Sequence, residues 1–301
     1  MPAGAVVAEG FIPFRGYKTW YRIVGDREES GKLPLLILHG GPGAGHDYLE
    51  PLGALTENGR RVIFYDQLGS GRSDHPHNPS MWTPGLFVEE IGAVRDALGL
   101  TRVHILGQSW GGMLGMEYAL THPSGLVSLI VSNSPASMSQ FLAGVNSLRD
   151  ALPPGVQATL LKHEQAGTTD DPEYEEAVMV FYRRHLCRLD PFPECLARTF
   201  ENIVRYPEVY HTMNGPSEFH VIGTIKDWDI RERLREIRTP TLVIGAEYDE
   251  VTVETVETVH RGICHSELVV FDGCSHCCHL EEPDRYNSVV EEFLSRVEAQ
   301  T

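Results

Sequence analysis

The chain predicts an α/β architecture, with one mostly parallel sheet covered by helices and interrupted by an inserted helical block. Three observations carry this reading. Short apolar, β-branched runs alternate with helix-favouring stretches along most of the 301 residues. A serine flanked by glycines stands where one such run meets a helix. The alternation stops at about residue 137 and resumes after Arg238-Thr239-Pro240.

Taken in order, strands are expected at 19–24, 35–38, 62–65, 103–106, 129–132, 241–244 and 268–271, all short and rich in Val, Ile, Leu, Phe and Tyr. Helices are expected at 87–98, 113–120 (closed by His122-Pro123), 254–261 and 286–298, where apolar residues recur at helical spacing or good helix formers dominate. Ser134-Pro135 and Pro153-Pro154 mark the entry to a block in which helical pieces at 157–166, 173–186 and 193–206 replace the strand rhythm. The chain must return to complete the sheet. The block therefore reads as a cap (137–232) on a core made of 1–136 and 233–301, rather than as an independent domain.

Composition narrows the function classes. A net charge of −17, from 25 basic and 42 acidic side chains, argues against nucleic acid or an anionic membrane as a partner. Met1 to Gly10 is only mildly apolar, and no run approaches the roughly 20 apolar residues of a membrane span, so a cytoplasmic protein is expected. The six cysteines begin at Cys187, which does not resemble a secreted disulfide framework. Cys274-Ser275-His276-Cys277-Cys278-His279 superficially suggests a metal site, but no second ligand pair accompanies it; packed thiols and no metal are expected.

The most informative run is Gly107-Gln108-Ser109-Trp110-Gly111-Gly112, between strand 103–106 and helix 113–120. A serine on so sharp a strand-to-helix turn resembles the nucleophile elbow of α/β-hydrolases. Glycines two positions either side leave room for the turn, and the helix N-terminus faces developing negative charge. In that arrangement the acid and the base follow later strands. Asp249 stands just after strand 241–244, and His276 just after strand 268–271. His276 would take the Ser109 proton and return it to the leaving group, with Asp249 fixing the imidazole tautomer. His279 and Asp272 are the alternative base and acid; His276 is preferred because it lies nearer the strand end. Oxyanion donors are expected from the N–H of Trp110 and from Gly41, in the glycine turn His39-Gly40-Gly41-Pro42-Gly43 after strand 35–38.

Together these residues resemble the proline iminopeptidase family of α/β-hydrolases, including its tricorn-associated aminopeptidases. The resemblance extends through Phe64-Tyr65-Asp66-Gln67-Leu68-Gly69-Ser70-Gly71-Arg72-Ser73 and Met213-Asn214-Gly215-Pro216-Ser217-Glu218-Phe219. It continues in Gly223-Thr224-Ile225-Lys226-Asp227-Trp228-Asp229 and Glu247-Tyr248-Asp249-Glu250-Val251-Thr252, so that nearly the whole chain, cap included, is covered. It implies a serine hydrolase, without metal or cofactor, that releases an N-terminal amino acid from a peptide, amino-acid amide or aminoacylated small molecule. It also implies that Glu218 and Glu250 bind the substrate's α-ammonium. Carboxylates there would reward a charged terminus and be left unpaired by a blocked one. The Asp66 to Ser73 run reads as a structural turn, with Arg72 bracing neighbouring loops.

The chain departs from the family pattern at Gln108, where many iminopeptidases carry Gly or Ser, and at Cys277-Cys278-His279-Leu280 after the base. Both departures border the pocket and bear on which amino acid is preferred. A carboxylesterase or general amidase on the same scaffold would make no use of Glu218 and Glu250. A non-catalytic binding protein would make no use of the triad.

Overall fold

The computed structural model describes residues 6–300. Eight strands form one sheet in the order β1-β2-β4-β3-β5-β6-β7-β8. They are β1 (Val6–Phe14), β2 (Tyr17–Val24), β3 (Leu35–Leu38), β4 (Val62–Tyr65), β5 (Val103–Gln108), β6 (Leu126–Ser132), β7 (Thr241–Ala246) and β8 (Ser266–Phe271). β2 runs antiparallel to both its neighbours, and every other pairing is parallel. The helices are α1 (Pro84–Ala97), α2 (Trp110–Ala119), α3 (Met138–Asp150), α4 (Pro154–Ala166), α5 (Pro172–His185), α6 (Glu194–Arg205), α7 (Glu208–Met213), α8 (Val253–Gly262), α9 (Cys278–Glu281) and α10 (Pro283–Glu298). No helix among the described residues is long and apolar enough to cross a membrane.

Among the elements not expected from sequence are the short helices α7 and α9, the strand β1 and the helix α3. β1 escapes notice because Pro13 interrupts its apolar residues, yet Arg15 and Gly16, both at positive φ (48° and 85°), close a two-residue hairpin onto β2. Both central residues at positive φ match the right-handed twist of the flanking strands. α3 follows a segment rich in Ser and Pro that reads as a loop. Its start is fixed by Ser137, whose hydroxyl accepts a hydrogen bond from the Gln140 N–H at 3.4 Å.

The central strands are apolar on both faces, as parallel strands covered on two sides must be. In β3, Leu36 and Leu38 join one core with α1 and α2, while Leu35 and Ile37 join a second with α10 and the 3-10 segment Asp47–Asn58. α2 lies unusually close to the sheet: a Cβ on Gly111 would stand 2.1 Å from the Leu38 carbonyl oxygen. Between β6 and β7 the chain carries α3 to α7 and adds no strand to the sheet.

One buried carboxyl gives this core a pH dependence. Glu90 of α1 is fully buried and accepts hydrogen bonds from the Thr19 hydroxyl (2.5 Å) and the Leu68 N–H (3.0 Å). Burial pushes it up to about 8, against those two bonds and with help from the Asp66 charge. A folded pKa raised above the ordinary 4.5 contributes stability that is complete below 4.5 and is lost as pH rises through about 8. Glu90→Gln keeps an accepting oxygen but never ionises. Its Tm relative to the native chain is expected to rise by several degrees between about pH 5 and about pH 9. A difference that stays flat across that range would show that Glu90 does not titrate there.

Candidate active site

Ser109 sits between β5 and α2 at φ 55° and ψ −124°, a backbone conformation side chains rarely adopt. The flanking glycines make it possible, since a Cβ on Gly107 would stand 2.0 Å from the Gly111 carbonyl oxygen. The Ser134 hydroxyl, just after β6, donates to the Ser109 carbonyl and secures the turn. Gly40 approaches so closely that a Cβ there would meet the Ser109 Cβ at 3.0 Å.

The loops after β7 and β8 bring Asp249 and His276 together, with the His276 Nδ1–H donating to Asp249 Oδ1 at 2.8 Å. The Val251 N–H donates to the same oxygen at 2.8 Å, and the Asn133 amide donates to Oδ2 at 2.7 Å. Ser109 and His276 line one cavity, and no hydrogen bond joins the Ser109 hydroxyl to the ring among the described residues. The alternative base and acid are elsewhere. His279 is buried between the Tyr48 and Tyr286 rings, with Nε2 3.1 Å from the Tyr48 carbonyl oxygen, and burial pushes it down to about 3. Asp272 is exposed.

Gly41 lines both cavities that meet at Ser109, and Trp110 lines one of them. The Gly40 N–H is already committed to the Tyr48 hydroxyl at 2.8 Å. Gln67 fastens the glycine turn to the start of α2. Its side-chain amide donates to the His39 carbonyl (2.9 Å) and accepts from the Trp110 indole N–H (2.9 Å). Its backbone N–H donates to His39 Nε2 at 2.9 Å, so the ring carries its proton on Nδ1, facing the Gly40 carbonyl at 2.9 Å. Asp66 braces the same region, accepting from the backbone N–H groups of His46 and Arg72 at 2.8 Å each. The Asp66 to Ser73 run thus supports the site without lining either cavity at Ser109.

Glu218 and Glu250 line the second cavity with Ser109 and Gly41. Glu218 is half-buried, its carboxylate accepting from the Tyr210 hydroxyl at 2.6 Å and its N–H donating to the Tyr182 hydroxyl at 3.3 Å. Glu250 is buried; Oε1 lies 3.7 Å from His276 Nε2, and Oε2 has no partner. Burial raises both carboxyls, Glu250 the more strongly, while the charge of the His276 ring opposes the rise in each and favours the ionised pair. Burial alone would lower His276, but Asp249, Glu250 and Glu218 outweigh it and hold the ring at about 9.

Three contributors had no local signal in the sequence. Tyr48 donates to Gln108 Oε1 at 2.5 Å, and the Gln108 amide donates to the His276 carbonyl at 3.2 Å, so Gln108 ties the elbow to the histidine loop. Asn133, at φ 51°, orients Asp249. His185, at the end of α5, accepts from the backbone N–H of both Glu250 (3.3 Å) and His276 (3.1 Å). The cysteines at 274, 277 and 278 are buried free thiols, and burial pushes Cys274 up to about 12.

Residues 34–283 match the profile of the α/β hydrolase fold family. The proline iminopeptidase of Saccharolobus solfataricus is 41% identical over 292 residues, 97% of this chain and 93% of that protein. The proline iminopeptidase of Thermoplasma volcanium is 38% identical over 289 residues, 96% of this chain and 97% of that protein. Among solved structures, a proline iminopeptidase from Mycobacterium smegmatis is 45% identical with a TM-score of 0.92, covering 97% of this chain and 99% of that one. VinJ is 46% identical with a TM-score of 0.95, covering 97% and 100%.

Proposed function

Since the chain belongs to the α/β hydrolase fold family and, within it, to the proline iminopeptidases, we propose that it is a serine aminopeptidase that releases an N-terminal amino acid bearing a free α-amine. The substrate is a small peptide, an amino-acid amide or an aminoacylated small molecule. Ser109 attacks the scissile carbonyl, and His276 takes its proton and delivers it to the leaving group. Asp249 holds the ring tautomer and stabilises the imidazolium. The N–H groups of Gly41 and Trp110 receive the oxyanion. Water, activated by His276, then hydrolyses the aminoacyl-Ser109 ester. Residues 137–232 serve as a cap over this centre, with Leu186, just after α5, and Leu196 and Phe200 of α6 lining the cavity. All six cysteines are free, which fits a reducing compartment, and we assign the protein to the cytoplasm.

One observation supports the free-amine requirement above all others. Glu250 Oε2 is buried, unpartnered and part of a carboxylate that faces the Ser109 cavity beside Glu218. A buried carboxylate oxygen without a donor is unfavourable, and a substrate ammonium supplies the missing hydrogen bond and charge. Steady-state hydrolysis of alanyl, prolyl and phenylalanyl p-nitroanilides, each with free and N-acetylated amines, tests this. Acetylation is expected to lower kcat/KM by at least about a hundredfold, the size of losing a charged hydrogen bond and leaving its partner buried. Equal rates on the two sets would instead make the protein a general esterase or amidase.

A further inference from the structure

Both nitrogens of the His276 ring face carboxylates, Asp249 at 2.8 Å from Nδ1 and Glu250 at 3.7 Å from Nε2. Nε2 is the nitrogen that must be unprotonated to receive the Ser109 proton. A carboxylate beside it favours the form that carries a proton there and cannot act as base. Glu218, from the segment after α7, adds a third carboxylate, and neither Glu218 nor Glu250 is paired with a lysine or arginine among the described residues. Glu281 of α9 stands next to the cluster, its carboxylate accepting from the Ser275 N–H and hydroxyl, and so adds no cation; the remaining titratable groups packed on it are held neutral. His279 of α9 and His185 of α5 are pushed down, mainly by burial. Tyr48, Tyr182 of α5, Tyr210 of α7 and the Cys277 and Cys278 thiols are pushed up by it. His276 is thus the cation of its own site.

We propose that Glu250 holds His276 as an imidazolium until substrate binds, and that the substrate's α-ammonium, by becoming the partner of Glu250, returns the ring to its neutral, basic form. The proposal rests on the free-amine reading above and adds a second role for the same carboxylate. Charge is conserved in the exchange: one ammonium enters, one proton leaves Nε2 for solvent, and the carboxylates keep one cation between them. An amine-free substrate brings no replacement cation. It meets a protonated ring, so its defect appears in turnover as well as in binding. The tilt of the ring toward about 9 is the expected signature of this arrangement.

The test uses the full chain carrying Ser109→Ala and 15N-labelled histidine, with the His276 resonances assigned by their loss in His276→Asn. At about pH 7, the ring nitrogens are expected to report imidazolium in the free protein and a neutral ring once alaninamide is added. N-Acetylalaninamide should leave them unchanged, and Glu250→Gln in the same background should give a neutral ring from the outset. With Ser109 intact, Glu250→Gln should raise kcat/KM for p-nitrophenyl propionate near neutral pH by about tenfold, the effect of lowering the base by one pKa unit. The same change should depress hydrolysis of alanyl p-nitroanilide. Alaninamide that binds while the ring stays charged would overturn the proposal and leave the free-amine reading standing, as would a charged ring in Glu250→Gln. Equal binding of alaninamide and its acetylated form would remove the reading and the proposal together.

Discussion

Replacing Ser109 by alanine is expected to lower kcat by about 10⁶, the loss seen when a serine nucleophile is removed from a working triad. The fold should not notice. The hydroxyl makes no hydrogen bond with any described residue, and alanine inherits the same backbone at φ 55° with a side chain no larger. The Tm of the variant should therefore stay within about a degree or two of the native value, since an uncoupled change of this kind is worth less than about 0.5 kcal/mol. Covalent labelling by a fluorophosphonate should vanish at the same time. Turnover within about a hundredfold of the native enzyme would mean that another nucleophile acts.

Asp249→Asn carries the second largest effect, a fall in kcat of about 10⁴ with the fold intact, by analogy with loss of the orienting acid in serine hydrolases generally. The surroundings explain why an amide cannot substitute. Asp249 accepts from three donors: the His276 Nδ1–H, the Val251 N–H and the Asn133 amide. Whichever way an asparagine points, its NH₂ meets a donor. Turned toward Asn133 it opposes that amide; turned toward His276 it forces the wrong ring tautomer and opposes Val251. Asn133 cannot simply flip to help, because its own Oδ1 accepts from the Ser132 hydroxyl at 2.7 Å and faces the Cys278 thiol at 3.4 Å. Single-turnover rates on alanyl p-nitrophenyl ester separate the acylation loss from binding. A loss below about tenfold would remove Asp249 from the mechanism.

What the sequence made legible follows from how each residue acts. The elbow was readable because its glycines answer a steric demand that few residues satisfy: Gly107 and Gly111 have no room for a Cβ. That Asp249 and His276 meet was readable because strand ends in this fold deliver residues to one edge, and β7 and β8 end where their apolar runs do. Tyr48 and Asn133 were not, since each acts through a partner remote in sequence, Gln108 and Asp249 respectively. Gln67 lay inside a run read as a structural turn, and its bonds to His39 and Trp110 emerge only when two loops meet. The hairpin strand β1 and helix α3 were hidden for a different reason. Proline and serine, which ordinarily punctuate a chain, occur within the one and at the start of the other.

The end of α5 has a bearing on engineering. The carbonyls of its last residue, His185, and of Leu186 just beyond it hold the backbones of Glu250, His276 and Cys277, the last at 2.9 Å. The His185 ring holds the Tyr248 carbonyl at 2.8 Å as well. The segment between β6 and β7 is therefore no interchangeable cassette. A chimera that imports a relative's insertion to recruit a new leaving group must retain this final turn, because the same two carbonyls that close a helix also set the register of the loops that bear Asp249 and His276.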